Sequence, residues 1–270
     1  MKRIIYLLLV TIYITGCINN PKSRKKIRSA SDVPQINYSI VNHHPHSTSS
    51  FTEGLLIHDN KLFESTGSPL ELPQTKSVYG ILNIQTGEID VKNELDRNKY
   101  FGEGIVFLNN RIYQLTYKKQ TCFVYDAKTY KILKQYNYSN KEGWGLTTDG
   151  KYIIMSDGTN ILSFIEPSKF QVVKTIKVSA NNYAIDYLNE LEYIKGYIYA
   201  NVWPTNTIVK IDPKNGYVVG KIDLTPLHEM AIVKNPNSNE TNGIAFDSIS
   251  DNIFVTGKMW PEIYQIKLQN

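Results

Sequence analysis

Cysteine is scarce in this sequence, since Cys17 and Cys122 are the only two among 270 residues. Two residues are too few for a disulfide framework, so the stability of the fold has to come from a hydrophobic core. Cys122 lies in an apolar run and is predicted to be a small buried residue without a catalytic role. The chain also lacks HExxH, CxxC and GxSxG motifs, and no GxGxxG follows a strand. These absences argue against the common zinc, hydrolase and dinucleotide sites.

Long hydrophobic runs are also missing, with one exception at residues 4–14, directly after Lys2 and Arg3. This run is too short to span a bilayer permanently, and small residues and Cys17 follow it. The Ile-Thr-Gly-Cys sequence resembles a bacterial lipobox. It predicts a lipoprotein signal peptide over residues 1–16, lipidation of Cys17, and an exported protein anchored on the periplasmic or cell-surface side of a membrane. An ordinary cleaved signal peptide is the alternative, and it also predicts export.

A charge excess is absent from the body of the chain. Seven of the 30 basic residues and only one of the 25 acidic residues lie in residues 1–34, which leaves 23 bases and 24 acids for the rest. Residues 17–34 are therefore interpreted as the lipidated cysteine and a flexible basic tether. Because the body is nearly neutral, no nucleic-acid partner is predicted.

No segment of the body has a long helical period, and short runs rich in Ile, Val, Tyr, Phe and Leu alternate with Gly, Asn and Asp turns. One hairpin pattern recurs five times, at residues 55–64, 105–114, 146–155, 191–200 and 244–255. Four short strands per unit, repeated every 40 to 50 residues, are typical of propeller blades. The fifth unit is one strand short, while residues 35–41 form a strand without a hairpin partner. Residues 35–270 are thus predicted to be an all-β, five-bladed β-propeller domain, closed by an N-terminal strand that completes the last blade.

Alignment of the five copies predicts which residues surround one mouth of the central channel. The residues that enter the innermost strands are Glu53, Glu103, Trp144, Asn189 and Asn242. Those that leave the second strands are Gly67, Tyr117, Gly158, Trp203 and Lys258. Because the two strands of each hairpin are antiparallel, both sets emerge on the same face. Carboxylates, carboxamides, aromatic rings and a lysine around one opening predict a small-ligand site.

Several motifs at these positions, in order along the chain, resemble those of the plant and bacterial glutaminyl-peptide cyclotransferases. They lie at residues 51–55, 64–67, 101–105, 113–116, 143–150, 188–193, 200–203, 242–245 and 255–261. The resemblance spans about residues 45 to 268 and implies a five-bladed propeller. It also implies cyclisation of an N-terminal glutamine to pyroglutamate with loss of ammonia, on peptide or protein substrates.

The resemblance further implies roles for individual residues. Glu103 matches the acid of the family's Phe-Gly-Glu-Gly motif and is predicted to shuttle the proton, while Asn189 and Lys258 bind the carboxamide and the oxyanion. The substrate-binding residues are predicted to be Phe51, Glu53, Phe101, Tyr117, Trp144 and Trp203. This sequence departs from the family at Glu53, where glutamine is common, at Tyr117, where tryptophan is frequent, and in an enlarged loop at 68–76. These departures bear on substrate preference.

Two other functions are compatible with the same residues. A calcium-dependent propeller hydrolase similar to a lactonase would use Glu53, Glu103, Asn189 and Asn242 as oxygen ligands. A non-catalytic propeller would bind a peptide or glycan at the same mouth. The cyclotransferase interpretation needs no cofactor and no catalytic metal. It leaves open whether a structural calcium ion lies in the channel. A closed propeller is predicted to be a monomer, and the histidines at 43–46 are predicted to lie in a solvated or hydrogen-bonded loop.

Overall fold

The computed structural model describes residues 33–269, and it folds them into five four-stranded antiparallel sheets arranged as the blades of a propeller. The chain opens with β1 (Tyr38–Pro45). Blade 1 contains β2 (Phe51–His58), β3 (Lys61–Gly67), β4 (Val78–Leu82) and β5 (Ile89–Glu94). Blade 2 contains β6 (Gly102–Leu108), β7 (Arg111–Thr116), β8 (Thr121–Asp126) and β9 (Ile132–Asn137). Blade 3 contains β10 (Leu146–Thr148), β11 (Ile153–Met155), β12 (Ile161–Glu166) and β13 (Gln171–Lys177).

A short hairpin separates blades 3 and 4, and it consists of β14 (Ser179–Ala180) and β15 (Tyr183–Ala184). Blade 4 contains β16 (Leu188–Ile194), β17 (Tyr197–Val202), β18 (Thr207–Ile211) and β19 (Val218–Asp223). The helix α1 (Thr225–Lys234) follows, and then come β20 (Thr241–Asp247), β21 (Asn252–Gly257) and β22 (Glu262–Leu268) of blade 5. The innermost strands β2, β6, β10, β16 and β20 contact one another in sequence around the channel, and β20 returns to β2.

The ring closes as the sequence predicts, because β1 pairs antiparallel with β22 and supplies the fourth strand of blade 5. The closing strand begins at Tyr38, three residues later than the predicted segment, and Gln35 makes only an isolated bridge to Lys221. The added strand covers the edge of β22, which would otherwise be exposed, and so removes a site of aggregation.

His43 and His44 belong to β1, contrary to the loop prediction, whereas His46 lies in a hydrogen-bonded loop as predicted and stabilises this closure. Its ring is fully buried, with Nδ1 2.8 Å from the carbonyl oxygen of Trp260 and Nε2 3.0 Å from Glu64 Oε1. With a hydrogen on each nitrogen, the ring donates to both oxygens. Burial alone would lower the pKa of His46, but the Glu64 carboxylate and these hydrogen bonds raise it overall. One charged pair therefore joins blades 1 and 5 where the ring closes.

The sequence shows no long helical period, and the short helix α1 was not identified from it. Apolar side chains lie on every side of the helix: Leu227 and Ala231 are buried, whereas Met230, Ile232 and Val233 are exposed. An apolar stripe of helical period is therefore missing, so periodicity had nothing to detect. Leu227 and Ala231 pack into the core cluster of blades 4 and 5, and tertiary contacts stabilise this helix. No helix of residues 33–269 is long and apolar enough to cross a bilayer.

Candidate active site

Backbone irregularities in the innermost strands aim the site residues at the channel mouth. In four blades the first two strands lose register at the aligned position: between Thr52 and Gly54, Gly102 and Ile105, Leu188 and Leu191, and Thr241 and Ile244. Such bulges leave a residue outside the ladder and redirect its side chain. In blade 3 the inner strand begins only at Leu146, so Trp144 lies in the loop before it.

Glycine follows the aligned residue in four blades because the innermost strands approach one another closely there. A Cβ on Gly104 would lie 2.6 Å from the Leu146 nitrogen, and one on Gly145 would lie 2.2 Å from the Asn189 carbonyl oxygen. In blade 4 the equivalent residue is Glu190. Its buried carboxylate accepts hydrogen bonds from the backbone N–H groups of Leu55, at 3.2 Å, and Ile244, at 2.9 Å. Glu190 therefore links the innermost strands of blades 1, 4 and 5 next to the mouth.

The cavity at this mouth has a volume of about 330 Å³, within the range of small-ligand sites. Its lining consists of Phe51, Glu53, Pro69, Phe101, Glu103, Tyr117, Trp144, Asn189, Trp203, Asn239, Glu240 and Lys258. All nine residues predicted as catalytic or substrate-binding are in this set. The ring prediction is wrong for Asn242, which is buried beside the cavity and does not line it. Its Nδ2 donates to the Thr52 carbonyl oxygen and to Glu53 Oε2.

Sequence reasoning missed Pro69, Asn239 and Glu240, although the alignment carried a signal for one of them. Phe51, Phe101 and Glu240 each precede an aligned inner-strand residue by two positions. Reading this second column of the repeat would have identified Glu240 along with the two phenylalanines. Pro69 belongs to the enlarged loop, whose backbone carbonyls at residues 69, 72, 73 and 75 accept hydrogen bonds from Arg97.

Aromatic rings form a continuous wall from blade 1 to blade 4. Successive ring centroids are 6.1 Å apart for Phe51 and Phe101, 5.8 Å for Phe101 and Tyr117, 6.4 Å for Tyr117 and Trp144, and 6.0 Å for Trp144 and Trp203. Most of these contacts are edge-to-face, an arrangement that aromatic pairs favour. The wall lowers the local polarity, so charges inside the cavity interact strongly.

Glu142 holds one ring of this wall in place. The Trp144 indole N–H donates to Glu142 Oε2 at 3.0 Å, and Lys118 lies 3.8 Å from the other carboxylate oxygen. The pKa of Tyr117 is raised to about 12, first by burial and then by the charge of Glu142. The Glu142 carboxylate therefore orients Trp144 and contributes to the raised pKa of Tyr117.

Within the cavity, Glu103 has the carboxyl group whose pKa departs furthest from its ordinary value. Only 4% of the residue is exposed, and burial raises the pKa of its carboxyl group well above the usual 4.5. The nearby charge of Glu53 raises this pKa further, while Lys258 opposes the shift. Among the hydrogen bonds of the described residues, Glu103 contributes only its backbone carbonyl, which accepts from Ser65 Oγ at 2.6 Å. The carboxyl group is thus available to a ligand.

Glu53 of blade 1 and Lys258 of blade 5 form an ion pair in the cavity. Lys258 Nζ lies 2.8 Å from Glu53 Oε1 and 4.6 Å from the ring centroid of Phe51. Burial raises the pKa of Glu53 to about 7, and the Coulomb attraction of Lys258 limits the rise. Lysine has three N–H donors, and Glu53 accepts from one of them. The ammonium group can therefore also donate to an anionic oxygen in the cavity.

Asn189 presents a buried amide to the same space. Its Oδ1 has no hydrogen-bond partner among residues 33–269, although the residue is only 4% exposed. A buried polar atom without a partner is unfavourable unless a ligand completes its hydrogen bonding. The amide is thus suited to a polar ligand group. No cluster of three or more His, Cys, Asp or Glu residues that could hold a metal exists within residues 33–269.

Comparison with known proteins gives three agreeing results. Residues 8–268 match the family described as glutamine cyclotransferase. The chain is similar to the glutaminyl-peptide cyclotransferase of Arabidopsis thaliana, with 39% identity over 232 residues, which cover 85% of this chain and 71% of that protein. It is also similar to the crystal structure of a glutaminyl cyclase from Myxococcus xanthus. That comparison has a TM-score of 0.79 and 32% identity, and it covers 87% of this chain and 98% of the other.

Proposed function

Since the chain belongs to the glutamine cyclotransferase family and converts the N-terminal glutamine of peptides to pyroglutamate with release of ammonia, we propose that Glu103 moves the proton in this reaction. The observation that carries the proposal is the buried carboxyl group in the cavity, with its raised pKa and no hydrogen bond to the described residues. General acid–base catalysis is most efficient when the pKa of the catalytic group lies near the working pH, and burial raises the pKa of Glu103 from 4.5 toward that range.

The reaction moves one proton from the attacking nitrogen to the leaving nitrogen. The neutral α-amine attacks the side-chain carbonyl carbon of its own residue, and a C–N bond forms. Ionised Glu103 accepts a proton from the attacking nitrogen and then gives it to the carboxamide nitrogen. The bond between that nitrogen and the carbonyl carbon breaks, and ammonia leaves. In chemical class this is an intramolecular aminoacyl transfer, in which the amine of the substrate is the acceptor.

Lys258 stabilises the negative oxygen that develops during the attack, while Asn189 holds the group that is attacked. The ammonium group of Lys258 uses a donor that Glu53 leaves free, and the amide of Asn189 binds the carboxamide group of the substrate. Donors held by the protein before the reaction need little reorganisation, so they favour the transition state. Phe51, Phe101, Tyr117, Trp144 and Trp203 pack around the aliphatic part of glutamine and keep its two ends together.

The calcium-dependent hydrolase is not favoured, because the comparisons all lead to cyclotransferases. Its proposed ligand set also conflicts with the contacts of Glu53, whose two oxygens already face Lys258 and Asn242. We propose that catalysis requires no cofactor. Activity is therefore expected to survive dialysis against EDTA, and a loss restored by added calcium or zinc would contradict this. The comparisons likewise do not favour a non-catalytic binding propeller.

The N-terminal features stay proposals, because residues 1–32 lie outside the part of the chain that the structure describes. A basic tether over residues 17–34, lipidation of Cys17 and export with a membrane anchor rest on the sequence pattern alone. The monomeric state rests on the closed ring, which needs no partner to complete a sheet. Radiolabelled palmitate should appear in the wild-type chain and be absent from Cys17→Ala. Equal labelling of both would contradict the anchor.

The activity itself is tested with two matched peptides. The full chain should release ammonia from Gln-Ala and none from N-acetyl-Gln-Ala, in which the attacking nitrogen is blocked. Mass spectrometry should show the loss of 17 mass units, that of one ammonia. Ammonia from the blocked peptide would indicate simple deamidation by water, and the cyclisation mechanism would be wrong.

A further inference from the structure

We propose that Tyr187 forms a binding subsite for the second residue of the substrate, and that this subsite favours an aromatic side chain. The proposal rests on the cyclisation activity given above and extends it to the part of the peptide outside the cavity. A cavity of about 330 Å³ accommodates the N-terminal glutamine, so the following residues must cross its rim.

The repeat places Tyr187 among residues that belong to the site. Tyr187 precedes Asn189 by two positions, as Phe51, Phe101 and Glu240 precede their own inner-strand residues, and those three line the cavity. The backbone repeats the relationship. The Trp203 N–H donates to the Tyr187 carbonyl oxygen at 2.9 Å, as Tyr117 does to residue 101 and Lys258 to residue 240, each at 3.0 Å.

The side chain of Tyr187 continues the aromatic wall beyond the cavity. Its ring centroid is 5.8 Å from that of Trp203 in an edge-to-face arrangement, yet Tyr187 does not line the cavity and is 51% exposed. Consecutive residues of a peptide are about 3.8 Å apart. A residue attached to a glutamine beside Trp203 therefore comes within reach of the next ring in the wall.

The backbone holds this exposed ring in a defined position. Tyr187 has φ of 62°, in the left-handed region that bulky residues rarely adopt. Its N–H donates to the Gly158 carbonyl oxygen at 2.8 Å, so both sides of its peptide unit are fixed, by blade 3 and by Trp203. A surface tyrosine held in this way offers an aromatic face at a low cost in conformational entropy.

The test compares Gln-Phe-Ala with Gln-Ala-Ala in the wild type, Tyr187→Ala and Tyr187→Phe. The ratio of kcat/KM between the two peptides should exceed one in the wild type and fall about fivefold in Tyr187→Ala, as expected for the loss of one aromatic pair. The change should appear in KM, because the second residue is bound equally in the ground and transition states. Tyr187→Phe keeps the ring and should keep the ratio.

Two control variants distinguish this subsite from other surfaces. Tyr183→Ala removes another exposed tyrosine, 69% accessible and on the β14–β15 hairpin, and should leave the ratio unchanged. Leu70→Ala alters an exposed apolar residue next to Pro69, which lines the cavity. A ratio lost in Leu70→Ala but kept in Tyr187→Ala would overturn the proposal, as would a wild type without preference. If the wild type cyclised neither peptide, the proposed function itself would be refuted instead.

Discussion

Replacing Glu103 by glutamine should nearly abolish cyclisation while leaving substrate binding intact. The substitution retains the shape of the side chain but removes its ability to accept and return a proton. General acid–base catalysis contributes about 10²- to 10⁴-fold, so kcat for Gln-Ala should fall by a factor in this range. KM should change little, because Trp144, Trp203 and Lys258 still line the cavity. A coupled assay of released ammonia measures both constants.

The same substitution should stabilise the fold at alkaline pH. The pKa of Glu103 is about 4.5 in an unfolded chain and well above that in the folded protein, so the folded state binds the proton more tightly. Wild-type stability therefore decreases as pH rises from 4.5 through the folded-state pKa. Each unit between the two values corresponds to about 1.4 kcal/mol. Urea unfolding should show Glu103→Gln gaining stability over the wild type above this window, and no gain below pH 4.

A buried acid outside the cavity is the matched control. Glu190 is equally buried, and burial also raises its pKa well above 4.5, but it does not line the cavity. Glu190→Gln should keep kcat within about threefold, provided that circular dichroism shows it folded. If Glu103→Gln retained more than a tenth of the wild-type kcat, or if both variants lost activity alike, Glu103 would not be the proton shuttle.

Three further predictions follow from contacts around the cavity and the closure. Glu53→Gln removes a negative charge near Glu103 while Lys258 remains, so the pKa of Glu103 should fall. The acidic limb of the pH profile of kcat/KM should then move to lower pH. A limb that stays in place or moves to higher pH would contradict the coupling between the two carboxyl groups. Gly67→Ala would put a Cβ 2.2 Å from the Phe101 ring and displace that ring. In steady-state assays kcat/KM should therefore fall about fivefold or more. An unchanged kcat/KM would mean that the ring can shift without cost. His46→Ala leaves the buried Glu64 carboxylate without its charged partner. Urea titrations should show the free energy of unfolding lowered by about 3 kcal/mol, with kcat unchanged. A loss below about 1 kcal/mol would refute the role of His46 in closing the ring.

Part of the fold was predictable because propeller blades repeat. Five similar hairpins can be counted without knowing how they pack, and the missing strand of blade 5 pointed to the chain's other end. The helix α1 was not predictable in this way. Its apolar residues surround the axis, so only the contact of Leu227 and Ala231 with blades 4 and 5 explains why it forms. The start of β1 was also misplaced, by three residues.

Part of the candidate site was likewise predictable from the sequence, and part was not. The aligned columns identified Glu103, Asn189 and Lys258, because residues at one repeat position converge at one end of a closed ring. The aligned positions did not show that the Asn242 side chain points to Glu53 and not into the cavity, because the bulge at this position decides its direction. Nor did they show that His46 is buried as the partner of Glu64, 18 residues away.

The sequence by itself determined the number of blades, the strand that closes them and the set of residues that meet at the mouth. These follow from short-range periodicity and from the symmetry of a repeated unit. Only the tertiary structure decided which members of that set face the cavity, which pair with each other and how burial raises the pKa of Glu103. Charge interactions depend on distance and on exclusion from water, and both arise between residues from different blades.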